Sequence, residues 1–328
     1  MENKMKIVYL FSGQGSHYRG MGRQLFEHNP VFRQSLLQSD LFVQQQLGRS
    51  LVDELYNFTG TPFDDLLITH PAIVAIEIAM YCVLKEIGIQ PDFVSGNSLG
   101  EFAAGVVSGI WSAGMAIEAA IEQARSIVRN DVQGGMIAVI HQHDSSLKIL
   151  YQQHGLYLAA DNFPGHFTLS GTAADLDRFQ LLLEKQDINY LRLAVSYPFH
   201  SPLIDSGRNG FDYYTGGISL LAPEKGFISG ITGNPMPVIP DNYFWEVVRA
   251  YSNFPVMVRF LESKQPCLYI DLGPSGTAAT FIKYNLSKTS SSVTLPLMTP
   301  FGRELDQLEK LQELIRSFES SSNSISSC

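Results

Sequence analysis

The chain contains few cysteines and no cluster of basic residues. Cys82, Cys267 and Cys328 are the only cysteines among 328 residues, and none belongs to a C-x-x-C pair. Such widely spaced thiols predict neither a disulfide framework nor a zinc site. The formal net charge is −9, and the sequence has no run of Lys and Arg. Binding to nucleic acid or to an anionic membrane is therefore not expected, because both need concentrated positive charge.

The N-terminal region also lacks a long hydrophobic run. The apolar segment Ile7–Phe11 is followed at once by Ser12 and Gly13, so it is too short for a signal peptide or a membrane span. We therefore expect a cytoplasmic location. Hydrophobic residues make up 45% of the chain and charged residues 17%, which is enough apolar material for one large folded domain or two smaller ones.

What the chain does contain is a Gly-x-Ser-x-Gly pentapeptide, Gly96 to Gly100, centred on Ser98. A strand-like apolar segment, 91–95, precedes it, and an apolar segment of small residues typical of a buried helix, 101–107, follows it. Glycines on both sides of a serine let a strand turn sharply into a helix and expose the hydroxyl. The helix N-terminus then favours an oxyanion beside that hydroxyl. This pattern indicates a nucleophilic serine, and a glycine-rich turn without chemistry is the alternative.

The order of apolar segments predicts an α/β protein with an inserted subdomain. Strand-like runs alternate with helical stretches, including an almost continuously apolar helix over 71–87 that is entered through Pro71. Between 133 and 197 the pattern strand-helix-strand occurs twice, which is the ferredoxin-like plan. We assign 1–132 and 198–318 to a large subdomain and 133–197 to a small one. The serine-rich stretch 319–328 is predicted to be a disordered tail.

Several motifs occur together in one order and spacing. They are Phe11-Ser12-Gly13-Gln14-Gly15-Ser16, Gly96-Asn97-Ser98-Leu99-Gly100-Glu101, Asn162-Phe163-Pro164-Gly165, Tyr197-Pro198-Phe199-His200-Ser201 and Asp271-Leu272-Gly273-Pro274-Ser275-Gly276. In combination they resemble the malonyl-CoA:acyl carrier protein transacylase family, which includes the acyltransferases of polyketide and fatty acid synthases. The resemblance covers about residues 5–300. It implies an α/β-hydrolase-like large subdomain that carries an inserted ferredoxin-like small subdomain, with the reactive residues in the cleft between them.

The resemblance also implies which residues carry the chemistry. Ser98 matches the nucleophile that attacks a thioester, and His200 matches the general base of a Ser-His dyad. The backbone N–H groups of Gln14 and Leu99 match the oxyanion hole. In the family a main-chain carbonyl oxygen orients the histidine, and the matching segment here is 249–253.

Two positions depart from the family members that load malonyl units. Those members carry His before the nucleophile, where this chain has Asn97, and an Arg on the following helix that binds the substrate carboxylate. A gapless count from Ser98 places Gln123 at the Arg position. Arg125 lies two residues further on, a rotation of about 200° along a helix, so it faces the other way. A buried malonyl carboxylate would lack a cation, which predicts a preference for neutral acyl groups.

Gln123 and the elbow sequence together resemble the acyl hydrolases of trans-acyltransferase polyketide synthases, which remove stalled acyl groups from acyl carrier proteins. The first hypothesis is therefore a proofreading serine acyl hydrolase that acts on acyl carrier protein thioesters in polyketide antibiotic biosynthesis. The alternative is an acyltransferase that moves an acyl group, malonyl or another, from CoA or a carrier protein. A third hypothesis is a non-catalytic relative that keeps the fold.

The expected partner is an acidic acyl carrier protein, with acyl-CoA as a further substrate source. Arg125 and Arg129 are candidates for a local basic docking patch. No cofactor is implied, because the substrate carries its own phosphopantetheine thioester. His141 and His143 form an H-x-H pair without a third ligand in view, so no metal is expected.

Further residues are candidates for contact with the acyl chain. They are Asn97, Gln123, Asn162, Tyr197 and Phe199, and core packing is the alternative for the last two. His17 follows the first loop and is a candidate for substrate contact, with an ordinary loop histidine as the alternative. His166 lies beside the loop 162–165 and is a further candidate for contact with the acyl chain. Glu101 is expected to be structural. Asp205, five residues after His200, is expected to cap a helix and not to complete a triad.

Overall fold

The computed structural model describes residues 5–58, 62–130 and 132–325. Its larger sheet has five parallel strands, in the order β10 (Val293–Pro296), β9 (Cys267–Asp271), β1 (Lys6–Phe11), β2 (Phe93–Gly96) and β7 (Gly226–Ile228). Alternate residues of the central strand β1 enter two different clusters of the core. Tyr9 and Phe11 pack in one cluster, and Val8 and Leu10 pack in the other. The sheet is therefore buried on both faces, as parallel sheets require.

Helices make up most of the rest of the large subdomain. They are α1 (Arg23–His28), α2 (Pro30–Leu47), α3 (Leu51–Tyr56), α4 (Leu66–Glu86), α5 (Gly100–Val107), α6 (Ala113–Val128), α9 (Arg208–Thr215), α10 (Tyr243–Arg249), α11 (Phe254–Glu262), α12 (Thr277–Asn285) and α13 (Glu304–Ile325), with a 3-10 helix over Pro202–Gly207. The apolar segment after the Ser98 pentapeptide forms α5, as predicted.

Helix α4 begins earlier than the sequence predicts. The expected start at Pro71 is wrong, because the Asp65 side chain accepts a hydrogen bond from Leu67 N and caps a helix that already includes Leu66. Pro71 lies inside the helix, where it removes one backbone hydrogen bond. In the described part of the chain, α4 is the one helix long and apolar enough to cross a membrane, and 83% of its most apolar window is buried inside the protein. It is a core helix.

The smaller sheet has the order β6 (Asn189–Arg192), β3 (Gly135–Ile140), β5 (His166–Gly171), β4 (Tyr157–Phe163) and β8 (Ser252–Asn253). Helices α7 (Ser145–Gln153) and α8 (Ala173–Lys185) pack on it around a separate apolar core. The chain order β3-α7-β4-β5-α8-β6, with antiparallel pairs β6-β3, β3-β5 and β5-β4, is the ferredoxin-like plan. The predicted fold class is therefore confirmed.

One strand of the smaller sheet comes from the region that the sequence assigns to the large subdomain. Strand β8 pairs in parallel with β4, with Ala160 opposite Ser252 and Asp161 opposite Asn253. A strand of two polar residues has no periodicity that a sequence pattern can reveal. The chain thus returns to the small subdomain after leaving it, which the boundaries 133–197 do not anticipate.

The C-terminal helix is longer than expected. The sequence indicates a helix over 303–317 and a disordered tail over 319–328, but α13 continues to Ile325. The segment contains no Gly or Pro to stop the helix, and Ser or Asn costs only about 0.5 kcal/mol per position. The helix therefore extends beyond 317, and disorder of the tail stays a prediction. Residues 326–328 lie outside the described residues.

Candidate active site

Ser98 lies at the sharp turn between β2 and α5. Its φ is 55°, in the left-handed region that L-residues with a Cβ rarely adopt. Both glycines of the pentapeptide are required by close packing. A Cβ on Gly96 would lie 2.2 Å from Glu101 N, and a Cβ on Gly100 would lie 2.4 Å from the backbone oxygen of Phe11. The turn is therefore a tight elbow pressed against β1, with the serine at its tip.

The Ser98 hydroxyl is hydrogen-bonded to His200. Ser98 Oγ lies 2.9 Å from His200 Nε2, and His200 Nδ1 lies 2.6 Å from the carbonyl oxygen of Ala250. A carbonyl oxygen only accepts, so Nδ1 carries the ring hydrogen and Nε2 of the neutral ring accepts the Ser98 proton. Ala250 lies in the segment predicted to orient the histidine. His200 also has a left-handed φ, 57°, so both members of the pair occupy strained backbone positions.

The surroundings keep His200 neutral. Only 7% of the residue is exposed, and burial lowers its pKa to about 4 although the hydrogen bond to Ala250 acts in the opposite direction. Asp205 does not approach the ring, because its carboxylate binds the Arg249 guanidinium, with one contact of 3.1 Å. Asp205 is not the helix cap that the sequence suggested either, because the 3-10 helix is capped by Ser201, whose Oγ accepts a hydrogen bond from Leu203 N. Among the described residues, no carboxylate is hydrogen-bonded to the His200 ring.

The loop after β1 lies against the elbow. A Cβ on Gly13 would lie 2.6 Å from Asn97 O and 3.0 Å from the Ser98 Cβ, so only glycine allows this approach. In the described part of the chain, neither the Gln14 nor the Leu99 backbone N–H has a hydrogen-bond acceptor. Two such N–H groups beside a serine hydroxyl are the arrangement that binds an oxyanion.

Two residues that the sequence analysis missed hold this loop. The Gln14 side chain donates from Nε2 to Thr69 Oγ1 at 2.9 Å, and its Oε1 lies 3.1 Å from His70 Nδ1. His70 is fully buried, which lowers its pKa to about 3, and its ring stacks on Phe199 with centroids 5.6 Å apart. His70 thus connects the loop of Gln14 to the residue before His200. Its place directly before the apolar run 71–87 gave no signal of this role.

Gln123 is fully buried and held by the backbone of α10. Its Nε2 donates to Phe244 O at 2.8 Å, and its Oε1 has no hydrogen-bond partner within the described segments. Arg125 binds the Gln46 carbonyl and Glu122. Since Gln46 belongs to α2, Arg125 extends away from the side of α6 on which Gln123 meets α10. The geometry therefore agrees with the rotation expected from helix periodicity.

The other candidates for acyl-chain contact have different environments. Asn97 accepts a hydrogen bond from Ser252 Oγ at 3.2 Å, directly beside the nucleophile position. Phe199 is buried, and the half-buried Tyr197 ring lies 6.1 Å from it. Asn162 is not brought to the pair, because its amide contacts His166 and Thr168 within the β4–β5 hairpin. The amide nitrogen of Asn162 is therefore already engaged, and its contact with the acyl chain stays a prediction.

The remaining histidines are involved in local contacts. His17 Nδ1 accepts from Gly15 N at 3.4 Å, and the His166 ring stacks on Phe163. His143 packs between Tyr151 and Phe167. Over the residues that the structure describes, no group of three or more His, Cys, Asp or Glu side chains could hold a metal ion. That the protein needs no metal or cofactor stays a prediction.

Comparison with known proteins identifies the family. The acyl transferase domain model matches residues 8–275. The polyketide biosynthesis acyltransferase homolog PksD of Bacillus subtilis (strain 168) is 37% identical over 313 residues, covering 93% of this chain and 95% of PksD. The homolog BaeD of Bacillus velezensis (strain DSM 23117 / BGSC 10A6 / LMG 26770 / FZB42) is 38% identical over 319 residues, covering 95% of this chain and 97% of BaeD.

A solved structure gives the same result. The acyltransferase domain from the second module of the salinomycin polyketide synthase is 28% identical, with a TM-score of 0.84, and the match covers 94% of this chain and 72% of that one. Fold, motifs and relatives therefore agree. The chain is a member of the acyltransferase family to which the malonyl-CoA:acyl carrier protein transacylases and the acyltransferases of polyketide synthases belong.

Proposed function

We propose that the protein is a serine acyl hydrolase that removes acyl groups from acyl carrier protein thioesters, with Ser98 as nucleophile and His200 as base. His200 Nε2 takes the hydroxyl proton as Ser98 Oγ bonds to the thioester carbonyl carbon. The carbon–sulfur bond then breaks, and His200 returns the proton to the phosphopantetheine thiolate. In deacylation water attacks the ester, His200 takes a proton from the water and gives it to Ser98 Oγ, and the free acid leaves.

Backbone groups stabilise the oxyanion in both steps. The free N–H groups of Leu99 and Gln14 suit the negative charge that develops on the carbonyl oxygen, and loss of one such donor typically costs about 3 kcal/mol of transition-state stabilisation. The contacts of the Gln14 side chain with Thr69 and His70 keep the second donor in place before the substrate binds. Such preorganisation is what makes these donors effective.

The environment of Gln123 is the main observation that supports the proposed class of substrate. Its buried amide donates to the backbone, and the nearest Arg in sequence, Arg125, is engaged elsewhere. A malonyl carboxylate beside this residue would be buried without a cation, at a cost of about 3–5 kcal/mol. Neutral acyl groups such as acetyl carry no such penalty. The proposed substrate is therefore a carrier protein loaded with a neutral acyl group.

Acyl transfer is the second candidate function. It begins with the same acyl-enzyme and differs only in the acceptor, a carrier-protein thiol in place of water. The names of PksD and BaeD, acyltransferase homologs, favour it as the alternative.

The proposed carrier-protein contact uses Arg129 more readily than Arg125. Arg125 is half-buried and bound to Glu122 and Gln46. Arg129 follows α6 and is exposed, and its guanidinium forms no hydrogen bond or ion pair with any described residue. A free guanidinium is the better candidate for an acidic partner.

The test is to incubate the protein with acetyl-loaded and malonyl-loaded carrier protein, with and without free acceptor carrier protein, and to follow every species by intact mass. We expect loss of acetyl to water, no reaction of malonyl, and no activity in Ser98→Ala. Rapid movement of acetyl onto the acceptor would favour the acyltransferase, and rapid use of malonyl would contradict the role given to Gln123.

A pair of variants isolates that role. Gln123→Arg restores a cation at this position, and Gln123→Met keeps a side chain of similar length without charge. We expect a malonyl-enzyme to accumulate in Gln123→Arg and not in Gln123→Met. Equal malonyl acylation of the two variants would mean that this side chain does not meet the acyl group.

A further inference from the structure

The carbonyl group that orients His200 belongs to a short segment with an anchored side chain on each side of it. Arg249, before Ala250, binds Asp205 near the start of the 3-10 helix. Tyr251, after Ala250, donates its hydroxyl to Asp161 Oδ2 at 2.5 Å. Asp161 lies on β4, so the second anchor belongs to the small subdomain.

Backbone pairing fixes the same segment to the same strand. Immediately after Tyr251, residues Ser252 and Asn253 form β8 and pair with Ala160 and Asp161 of β4. The four consecutive residues from Ala250 to Asn253 thus carry the His200 contact at one end and the small-subdomain contact at the other. Since a peptide carbonyl turns with its plane, displacement of Tyr251 changes the direction of Ala250 O.

This segment also reaches the elbow. Ser252 Oγ lies 3.2 Å from Asn97 Oδ1 and 3.3 Å from Gly230 O. Asn97 precedes Ser98, so one short stretch of chain contacts both His200, through the Ala250 carbonyl, and the residue before Ser98, through the Ser252 side chain. The Tyr251 hydroxyl keeps its proton, because burial and the adjacent Asp161 carboxylate raise its pKa. It is therefore a hydrogen-bond donor throughout the working range of pH.

We infer that Tyr251 and Asp161 are positioning residues for His200, because their hydrogen bond holds the Ala250 carbonyl in place. The orientation of the histidine therefore depends on the position of the small subdomain. The inference rests on the proposed roles of Ser98 and His200. Strand β4 thus controls the alignment of Ser98 and His200, although none of the described hydrogen bonds of their side chains is made to this strand.

The chain provides a matched control for this pair. Tyr190 donates its hydroxyl to Glu184 at 2.5 Å, also within the small subdomain. Strand β6, which carries Tyr190, is at the opposite edge of the sheet from β8. Tyr190→Phe therefore removes a tyrosine–carboxylate hydrogen bond of the same length that has no connection to Ala250.

The experiment compares Tyr251→Phe, Asp161→Ala, the double variant and Tyr190→Phe. Two measurements report on the alignment of Ser98 and His200 and do not depend on the acyl acceptor. One is the rate at which a small sulfonyl fluoride labels Ser98, and the other is the low-field proton NMR signal of His200 Nδ1–H. Steady-state kinetics on acetyl-loaded carrier protein provides kcat and KM. Melting curves show whether each variant is folded, and Asp161→Ala keeps the test open if Tyr251→Phe does not fold.

We expect Tyr251→Phe and Asp161→Ala each to slow labelling and kcat by about tenfold to a hundredfold, the range for loss of a hydrogen bond to a charged group, with KM little changed. The His200 signal should move or broaden, the double variant should be no worse than either single variant, and Tyr190→Phe should match the parent. An unchanged His200 signal in folded Tyr251→Phe, or losses that add in the double variant, would overturn the inference. Normal labelling and NMR responses without hydrolysis would instead count against the proposed function alone.

Discussion

At the scale of single residues, the proposed role of His200 as the base predicts the pH range of the reaction. Burial lowers its pKa to about 4, and the base acts only in its neutral form. The acylation rate should therefore be constant above about pH 5, where more than nine-tenths of the ring is neutral, and should fall as the pH drops through about 4. The measurement is single-turnover acylation of Ser98 across this range.

Circular dichroism at each pH separates loss of the base from loss of the fold. A half-maximal rate near pH 6.5, the ordinary value for histidine, would show that the ring is not desolvated as the structure indicates. The same protonation also affects folding. Because the folded pKa lies below the unfolded one, the contribution of His200 to stability is present above about 6.5 and lost as the pH falls towards 4.

The sequence predicted the hydrogen-bonded pair Ser98 and His200 better than the residues that support it. Ser98 and His200 belong to compact motifs, and the family pattern identified a backbone carbonyl in 249–253 as the partner of the histidine. That the carbonyl is that of Ala250 was not predictable, because any side chain can accompany a carbonyl. His70 and Tyr251 were missed for a related reason: their contacts join segments that are far apart in sequence.

At the scale of elements, a buried carboxyl group connects the elbow helix to its neighbours. Glu101, in the first turn of α5, accepts hydrogen bonds from the Tyr243 hydroxyl and from Gly230 N. It is 1% exposed, and burial raises its pKa to about 8. The expectation that Glu101 is structural is consistent with these contacts, which fasten α5 to α10 and to the loop after β7.

This raised pKa predicts how stability changes with pH. The folded state favours the protonated carboxyl, so the contribution of Glu101 is complete below its unfolded pKa of 4.5 and is lost as the pH rises through about 8. As the pH rises from about 5 to about 9, the free energy of unfolding should therefore fall less in Glu101→Gln than in the parent. The two decreases should differ by at least about 1 kcal/mol. Urea unfolding at several pH values measures it.

The unfolding free energy of Glu101→Gln should still change with pH, although less than that of the parent. Burial also raises the pKa of Asp271, to about 6, and that of Glu77, and both remain in Glu101→Gln. Parallel stability curves for the parent and the variant would mean that Glu101 is already ionised in the folded protein.

Elements with strong patterns were predicted, and those that depend on a partner were not. The apolar runs of β1 and β2 and the glycines of the elbow reveal themselves locally. Strand β8 exists because β4 offers it an edge to pair with, which no local pattern can show. The early start of α4 depends on the Asp65 cap. This single residue was overlooked because the apolar run 71–87 dominated the prediction.

At the scale of the whole molecule, the two sheets are joined at more than one place. Strand β8 connects the small sheet to the segment that contacts His200. At the tip of the β4–β5 hairpin, the Phe163 ring stacks on Tyr284 of α12 with centroids 4.6 Å apart, and Asn285 donates to Asn162 O at 2.7 Å. The small subdomain is therefore held against the large one by side chains as well as by its two chain connections.

The left-handed φ of Ser98 has an effect on global stability. A Cβ in this region costs about 1–2 kcal/mol, and glycine adopts the same conformation without that cost. Ser98→Gly and Ser98→Ala both lose the hydroxyl and the hydrogen bond to His200, but only Ser98→Gly also removes the Cβ. We expect Ser98→Gly to be the more stable by about 1 kcal/mol in urea unfolding. Equal stability would mean that the elbow is relaxed.

If that difference is found, a substitution at the elbow that removes the proposed nucleophile also removes a local loss of folding stability. A lineage freed from the need for the reaction would gain stability from a single substitution at the nucleophile, whereas most substitutions elsewhere destabilise. In that case Ser98 occupies a backbone position that favours glycine, and the proposed nucleophile is present at the expense of about 1 kcal/mol of folding stability.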